Sequence, residues 1–524
     1  MGLLWAGEYE IMNMYLDKMQ RFFKSRWNND YTFTMLFTIV FGLIVHIYKF
    51  TNYLPNHDSM YNFYSDQNVL ASGRWLLSFA CGFSSYYDLP WINGLFSIFF
   101  IAATMVIVVA LFNINNKIVI ALICGLMLVC PSTVEIICFE FTADGYFMSM
   151  LFASLAALFI IKFRSNLFSV LLSSFFVCFS CGIYQAYVSF TAVLVVGFVI
   201  YILFDRVVSM KFIVALLVRL IVSLIIGLLF YYLIWKLCMF FQSVVPTDYQ
   251  GINSIGFLSI NGFVSSLKKF VSYFIMVIFE KNILKHGISI YAILNILFIF
   301  LSLIGYIIAI IKTKLYKQKS KIAVFILCFL SLPIAICMWS FVSTEVDYSY
   351  RMLHSIIVIV FLNIFICQKF FNSFFSLIMP ALNMIMVINL MVSANIAYYY
   401  LNFEYENTYS EAIKLEYALN KAIDKYGKDH KIAIIGNREE EVALDQSTEV
   451  NCIFMYTNMI EKSLLLDSAH TKNYLKNVLY FDAGYSDFET IEKIKKTEDY
   501  KKLTPFFNQE NIELIENVIT VKLG

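Results

Sequence analysis

Charge is what this chain has least of. Asp, Glu, Lys and Arg together make 15% of its 524 residues, where a soluble domain carries about a quarter. A surface so poor in charge does not stay dispersed in water, which excludes a soluble enzyme. The formal net charge of +2 leaves no excess of cations to hold a phosphate backbone, so nucleic acid is excluded as a partner. Common enzyme fingerprints are also missing: there is no Walker A loop, no glycine fingerprint opening a βαβ unit and no metalloprotease helix. ATP-driven transport within this chain is therefore not expected. The cysteines lack the paired spacing of a disulfide framework or a zinc site; most, such as Cys124, Cys238, Cys328 and Cys337, stand singly in apolar runs and read as small hydrophobes. Cys178 and Cys181 form a C-x-x-C, but inside a membrane span, where packing is the expected role. Residues 1–30 are too charged for a cleavable signal and lack its apolar core, so the first span is expected to serve as the membrane signal.

What is abundant is apolar surface, with 60% of the residues hydrophobic. The excess of Ile, Phe, Lys and Asn fits an AT-rich bacterial genome. Segments near the ~20 residues that a ~30 Å hydrocarbon layer demands recur about eleven times. They fall at 31–50, 91–112, 117–131, 146–162, 166–182, 186–205, 212–241, 288–311, 322–342, 353–368 and 372–399. Ahead of them, residues 1–30 read as an amphipathic helix in the interface, with Trp5, Met12, Tyr15, Phe22 and Phe23 on its apolar side. Lys18, Arg21, Lys24 and Arg26 put the N-terminus inside. Cations not used to build this topology agree with it: Lys117, Lys162, Arg164, Arg206, Lys211, the five lysines from Lys312 to Lys321, and Lys369 all fall in or beside inner loops. Residues 264–286 are expected along the outer surface.

The carboxylates then gather on the other face. Asp58, Asp66, Glu135, Asp144, Glu345 and Asp347 all lie in outer loops. A carboxylate costs roughly 2.5–3.5 kcal/mol at the bilayer midplane and less toward the interface. Chance would divide such groups between both faces, so their segregation points to a polar site on the non-cytoplasmic side, built from several loops and fed from the lipid.

Four stretches could carry chemistry. The first outer loop runs from Asn56-His57-Asp58-Ser59 to Gly73-Arg74-Trp75. A sugar hydroxyl attacking an activated anomeric carbon needs a carboxylate to take its proton, and Asp58 is the candidate base. An anionic leaving group needs a fixed cation; arginine's planar fork suits phosphate, which makes Arg74 a candidate ligand. Equally, Asp58 could simply cap the helix that follows. Glu135, Glu140 and Asp144, after Pro131, could hold acceptor hydroxyls or a divalent cation through oxygen ligands, or pair with Arg74 or Lys236. No metal is assigned on this pattern. Tyr184 and Gln185 join two spans with almost no loop; they suit a sugar ring, or they satisfy backbone groups where the helix breaks. In the stretch from Glu345 and Asp347 to Arg351, the arginine could bind a lipid-linked phosphate, or snorkel to the interface.

After Tyr400 the composition turns strongly charged. A helix pattern at 408–426 and strand-like runs at Lys431–Ile435, Val478–Phe481 and Val518–Leu523 predict a small α/β domain over 401–524. With eleven spans before it, this domain is expected outside, where it would hold or orient an acceptor.

The order of these pieces resembles the bacterial membrane glucosyltransferases of the GtrII type, which modify O-antigen and related polymers. The likeness rests on the aspartate loop followed by Gly73-Arg74-Trp75, on Pro90-Trp91-Ile92-Asn93-Gly94, on Pro131…Glu135…Phe141…Asp144 and on Ser180…Tyr184-Gln185. It implies a GT-C type fold: an all-α polytopic bundle over 31–400 with its catalytic aspartate in the first outer loop. It also implies a polyprenyl-phosphate-linked hexose, with glucose expected, as donor, and a polysaccharide or lipid-linked glycan as acceptor. Asp58 would be the base and Arg74 and Arg351 would hold the phosphate. Asp66, Glu135, Asp144, Tyr184, Gln185, Glu345 and Asp347 are the expected sugar- or acceptor-binding residues. Where that family often has two adjacent acids, this chain has His57-Asp58 and a single carboxylate.

The expectation is thus a multi-pass glycosyltransferase of the bacterial plasma membrane, in contact with membrane lipids. Its rivals are a transporter or flippase of lipid-linked saccharides, or a polymerase. Transporters usually place charge near the midplane and show internal repeats, and neither is evident here.

Overall fold

The computed structural model describes residues 28–163, 165–247, 260–279, 290–343, 345–371, 375–438, 463–509 and 511–523. The expected interfacial helix before Asn28 lies outside these residues, as does the stretch 280–286. Helices dominate, and their starts follow from local sequence. Asn28 caps α1 (Asn29–Thr51) by accepting from the Tyr31 N–H, and Pro90 opens α3 (Pro90–Phe112), after the short α2 (Leu77–Cys81). Asn116 caps α4 (Lys117–Val129), which meets α5 (Pro131–Cys138) at a 45° bend. Proline supplies no N–H at residue 131, so the ladder breaks there. Then come α6 (Glu140–Lys162), α7 (Asn166–Ile183), α8 (Val188–Leu203) and the long α9 (Met210–Gln242). After these follow α10 (Ile260–Phe279), α11 (Ile290–Thr313), α12 (Lys319–Ile336), α13 (Ile356–Phe370) and α14 (Phe375–Tyr426).

Among the described residues, nine helices are long and apolar enough to cross a bilayer, and the bent pair α4–α5 would make a tenth. The remaining expected span, 353–368, is the 15-residue helix α13, short for a full crossing. The expected span at 322–342 stops as a helix at Ile336, where Pro333 has weakened its last turn, and a 3-10 turn continues over Met338–Phe341. The protein is a multi-pass helical membrane bundle. Buried hydroxyls join its helices, as between Ser149 and Ser180 (3.1 Å) and between Ser173 and Ser223 (2.5 Å), the polar contacts expected where lipid removes any hydrophobic drive between helices. His46, buried in α1, bonds the Tyr398 hydroxyl at 2.8 Å and so ties α1 to α14.

Helix α14 differs from expectation in one respect. It runs unbroken through Tyr400, so the span at 372–399 and the helix pattern at 408–426 are one 52-residue element. Beyond it lie β1 (Ile432–Ile435), α15 (Ser468–Leu479), α16 (Phe488–Ile494), α17 (Glu498–Lys502), α18 (Phe506–Gln509), β2 (Ile512–Ile515) and β3 (Val518–Lys522). The sheet order is β1-β3-β2; β3 is parallel to β1, with Ile432 opposite Ile519, and antiparallel to β2. The runs expected at 431–435 and 518–523 are strands. The one expected at Val478–Phe481 is not, because α15 extends to Leu479 and Tyr480 then turns left-handed. Residues Leu415 and Leu419 of α14 pack with Ile432, Ile434, Ile519 and Val521, so the end of that helix is part of the core beneath the sheet.

Candidate functional site

At one end of the bundle a cavity of about 750 Å³ opens between the helix termini. It lies past the end of α1 and α7, beside the last turns of α9, and where α6 and α13 begin. Its lining includes Asp58, Arg74, Tyr146, Tyr184, Gln185, Tyr231, Trp235, Lys236, Trp339, Asp347 and Arg351. The tertiary structure therefore gathers six of the residues singled out from sequence: Asp58, Arg74, Tyr184, Gln185, Asp347 and Arg351.

Asp58 sits on a 3-10 turn, His57–Tyr61, just after α1. The cap of that turn is Asn56: its side-chain oxygen accepts from the N–H groups of Asp58 (2.8 Å) and Ser59 (3.1 Å), and Ser59 Oγ accepts from the Asn56 N–H. Capping is thus done without Asp58, whose carboxylate is 45% exposed toward the cavity. The Asn56 amide also donates to the Cys138 carbonyl at 2.7 Å, fixing the turn against α5. His57 is buried edge-on against Phe139, with Nε2 3.5 Å from Asp58 Oδ1.

Arg74 follows Gly73, whose φ of 84° is the left-handed conformation that glycine tolerates. Its Nη1 donates to the Tyr146 hydroxyl at 2.9 Å, and its guanidinium lies 5.1 Å from the Tyr184 ring centroid. Those two tyrosines stack with centroids 4.0 Å apart and planes within 5°. The aromatic pair holds the arginine fork in one plane at the cavity wall. Gln185 donates to the Ser72 carbonyl (2.8 Å) and the Tyr231 hydroxyl (3.2 Å), so it ties the Gly73-Arg74 loop to α9.

Arg351 also lines the cavity, stacked 4.0 Å over the Phe139 ring. Glu135, buried behind it, accepts from the Arg351 N–H at 2.7 Å and has Oε1 4.0 Å from Nη1. Glu135 therefore does not line the cavity; it holds Arg351. Asp347 accepts from Tyr273 of α10 at 2.7 Å. Tyr348 beside it has its phenol pushed up by burial.

Three of the sequence candidates stand apart. Asp144 is buried, accepts from the Gly145 N–H and does not line the cavity. Asp66 and Glu345 are exposed, also off the cavity; Asp66 caps the N–H of Asn68. Glu140 pairs with neither Arg74 nor Lys236 but with Lys49, which sequence reasoning passed over. Sequence reasoning also missed the aromatic wall. Tyr231 and Trp235 stand four residues apart on one face of α9, a legible pair, but nothing local shows that they line the cavity with Asp58. Among the described residues no three His, Cys, Asp or Glu side chains are grouped as a metal site would need.

The glucosyl transferase GtrII family matches residues 47–367, more than half of the chain. The chain belongs to the GtrII glucosyl transferase family. No curated protein and no solved structure matches it. The GtrII match runs from Ile47 in α1 to Cys367 in α13, so it contains Asp58, Arg74 and Arg351 and leaves out α14 and the sheet. As a GtrII member with nine or more apolar helices among its described residues, the protein is a membrane glycosyltransferase acting between a sugar donor and a glycan acceptor.

Proposed function

We propose that this GtrII member transfers a hexose, glucose by its family, from polyprenyl phosphate to a hydroxyl of a cell-surface polysaccharide or lipid-linked glycan on the non-cytoplasmic face. The observation that carries this reading is one cavity holding a half-exposed carboxylate, Asp58, together with Arg74, Arg351 and Lys236. In the reaction, the acceptor oxygen attacks the anomeric carbon and its proton passes to the Asp58 carboxylate. The bond from the anomeric carbon to the phosphate oxygen breaks, and polyprenyl phosphate leaves with the negative charge that the cations meet. Tyr146, Tyr184 and Trp235 line the cavity beside these groups, aromatic surface against which a sugar ring or the first isoprene units can pack. The isoprenoid tail can stay in the bilayer throughout.

The proposed sidedness draws support from the far end of the bundle. There Arg206 donates to the Thr313 carbonyl, Lys321 to that of Asp205 and Lys312 to that of Phe370. Basic loops belong on the cytoplasmic side, which supports an outward-facing cavity with α15 to β3 on the same side.

Asp58→Asn tests the assignment in membranes supplied with labelled polyprenyl-phosphate glucose. A fall of about a hundredfold or more in transfer is expected; near-normal turnover at wild-type protein level defeats the assignment. A C-terminal tag reached only from the cytoplasm would defeat the sidedness.

A further inference from the structure

The turn that carries Asp58 is a single 3-10 turn of five residues, and a turn that short does not hold its own shape in water. The Asn56 cap and its bond to the Cys138 carbonyl hold one side of it, and further support comes from beyond the GtrII-matched residues. Met60 is fully buried in a cluster with Ala412, Leu464, Leu465 and Tyr474. Tyr61 stands edge-on to His470 of α15 with centroids 4.4 Å apart, its hydroxyl 3.2 Å from His470 Nδ1. That same Nδ1 lies 2.8 Å from Oδ1 of Asp467, the residue that also caps α15 by accepting from the N–H groups of Ala469 and His470. The His470 ring faces the His57 ring at 6.2 Å. So His57, Met60 and Tyr61 each meet the C-terminal part of the chain, and Asp58 is left turned to the cavity.

The geometry points to Asp467 and His470 as positioning residues for Asp58, acting through Tyr61. In a 3-10 helix the side chains at i and i+3 eclipse one another, so Tyr61 stands directly over Asp58. Fixing the phenol on the Asp467–His470 pair fixes the rotation of the turn about its axis, and with it the direction of the Asp58 carboxylate. Asp467 is held by two backbone N–H groups, so the restraint runs from the helix start to the turn. Neither residue touches the cavity, and their contribution is orientation, which belongs to the rate of transfer and not to donor affinity. This inference rests on Asp58 being the base.

The test measures kcat and KM for labelled polyprenyl-phosphate glucose, using the full chain in membrane vesicles that carry its acceptor. His470→Ala is expected to lower kcat about tenfold, since small misplacements of a reacting group cost that much or more, and to leave KM within about twofold. His470→Gln, which can still bond the phenol, is expected to recover most of the loss. In a Tyr61→Phe background His470→Ala is expected to add little, because the link is already cut. Amide exchange over 57–62 is expected to quicken in His470→Ala alone of the two His470 variants. Unchanged kcat in His470→Ala overturns the proposal, as does a loss that Gln does not recover, or one that adds fully to Tyr61→Phe. If His470→Ala does not reach the membrane, Asp467→Asn and Tyr61→Phe carry the same comparison. Asp58→Asn run alongside separates the two ideas: full activity there removes the base, whereas its inactivity with full activity of His470→Ala removes only the positioning role.

Discussion

Lys49 Nζ and Glu140 Oε2 lie 2.7 Å apart, with 0% and 3% of their side chains exposed, although 91 positions separate them in the chain. Lys49 also donates to the Leu54 carbonyl, and the Asn93 amide donates to the Glu140 carbonyl. The pair thus pins the end of α1, the starts of α3 and α6 and the approach to the Asp58 turn. Removing one partner strands a buried charge, which costs about 3–5 kcal/mol, while replacing both with apolar groups is often neutral. Glu140→Leu is expected to lower the melting temperature in detergent sharply, and the double variant Lys49→Met with Glu140→Leu to recover most of that fall. Additive losses would refute the pairing.

Arg74 bonds the Tyr146 hydroxyl and stacks on Tyr184 at once. A lysine ammonium cannot do both, because it has neither the fork nor the plane. Arg74→Lys is expected to raise the donor KM about tenfold, the worth of one charge-assisted hydrogen bond, with folding intact. Steady-state kinetics against polyprenyl-phosphate glucose would show it, and an unchanged KM would take Arg74 out of the phosphate site.

Gly182 is where α7 meets the Trp75 ring. A Cβ there would sit 2.6 Å from Trp75 Cε2, whereas at Gly197 the nearest atom would be 3.8 Å away. Gly182→Ala must push Trp75 aside and with it Arg74, at a cost of roughly 1–3 kcal/mol. Gly197→Ala is expected to be silent. Thermal stability and donor KM measured on both variants check the contrast.

Asp88 lies in the loop before α3, 8% exposed. Burial pushes its carboxyl up to about 6, partly offset by the Lys49 ammonium and the Ser59 hydroxyl. Its folded value stands above the unfolded one, so between about pH 4 and 6 the folded state keeps a proton that the unfolded chain has released. Stability from this group is therefore full at pH 4 and lost as pH rises through 6. Relative to the wild type, Asp88→Asn is expected to gain stability across that window, by at most roughly 3 kcal/mol, and to show no further change above it. Unfolding followed at pH 4, 5, 6 and 7.5 decides the matter.

Much of the architecture was legible because lipid imposes a strict rule on sequence. Apolar runs of span length, punctuated by Pro90 and Pro131 and by basic turns, mark helices whatever their neighbours do. The Asp58 loop and the two arginines stood out for the same reason, as costly groups beside a bilayer. Legibility failed where a residue's role is set by a partner far along the chain. Whether Asp58 or Asn56 caps the turn is a matter of which side chain points back, and the two are only two positions apart. Asp66, Glu345 and Asp144 carry the same chemistry as Asp58 and share its side, yet do not reach the cavity.

By itself, then, the sequence determined that this is a helical membrane protein with acid-rich loops between its helices, since hydropathy and charge act locally and add along the chain. Only the tertiary structure decided which side chains each acid meets: Glu135 with Arg351, Glu140 with Lys49, and Asp467 with His470 beside Tyr61. Such pairings form because burial makes an unpartnered charge expensive, and burial is a property of the packed bundle that no single stretch of chain contains.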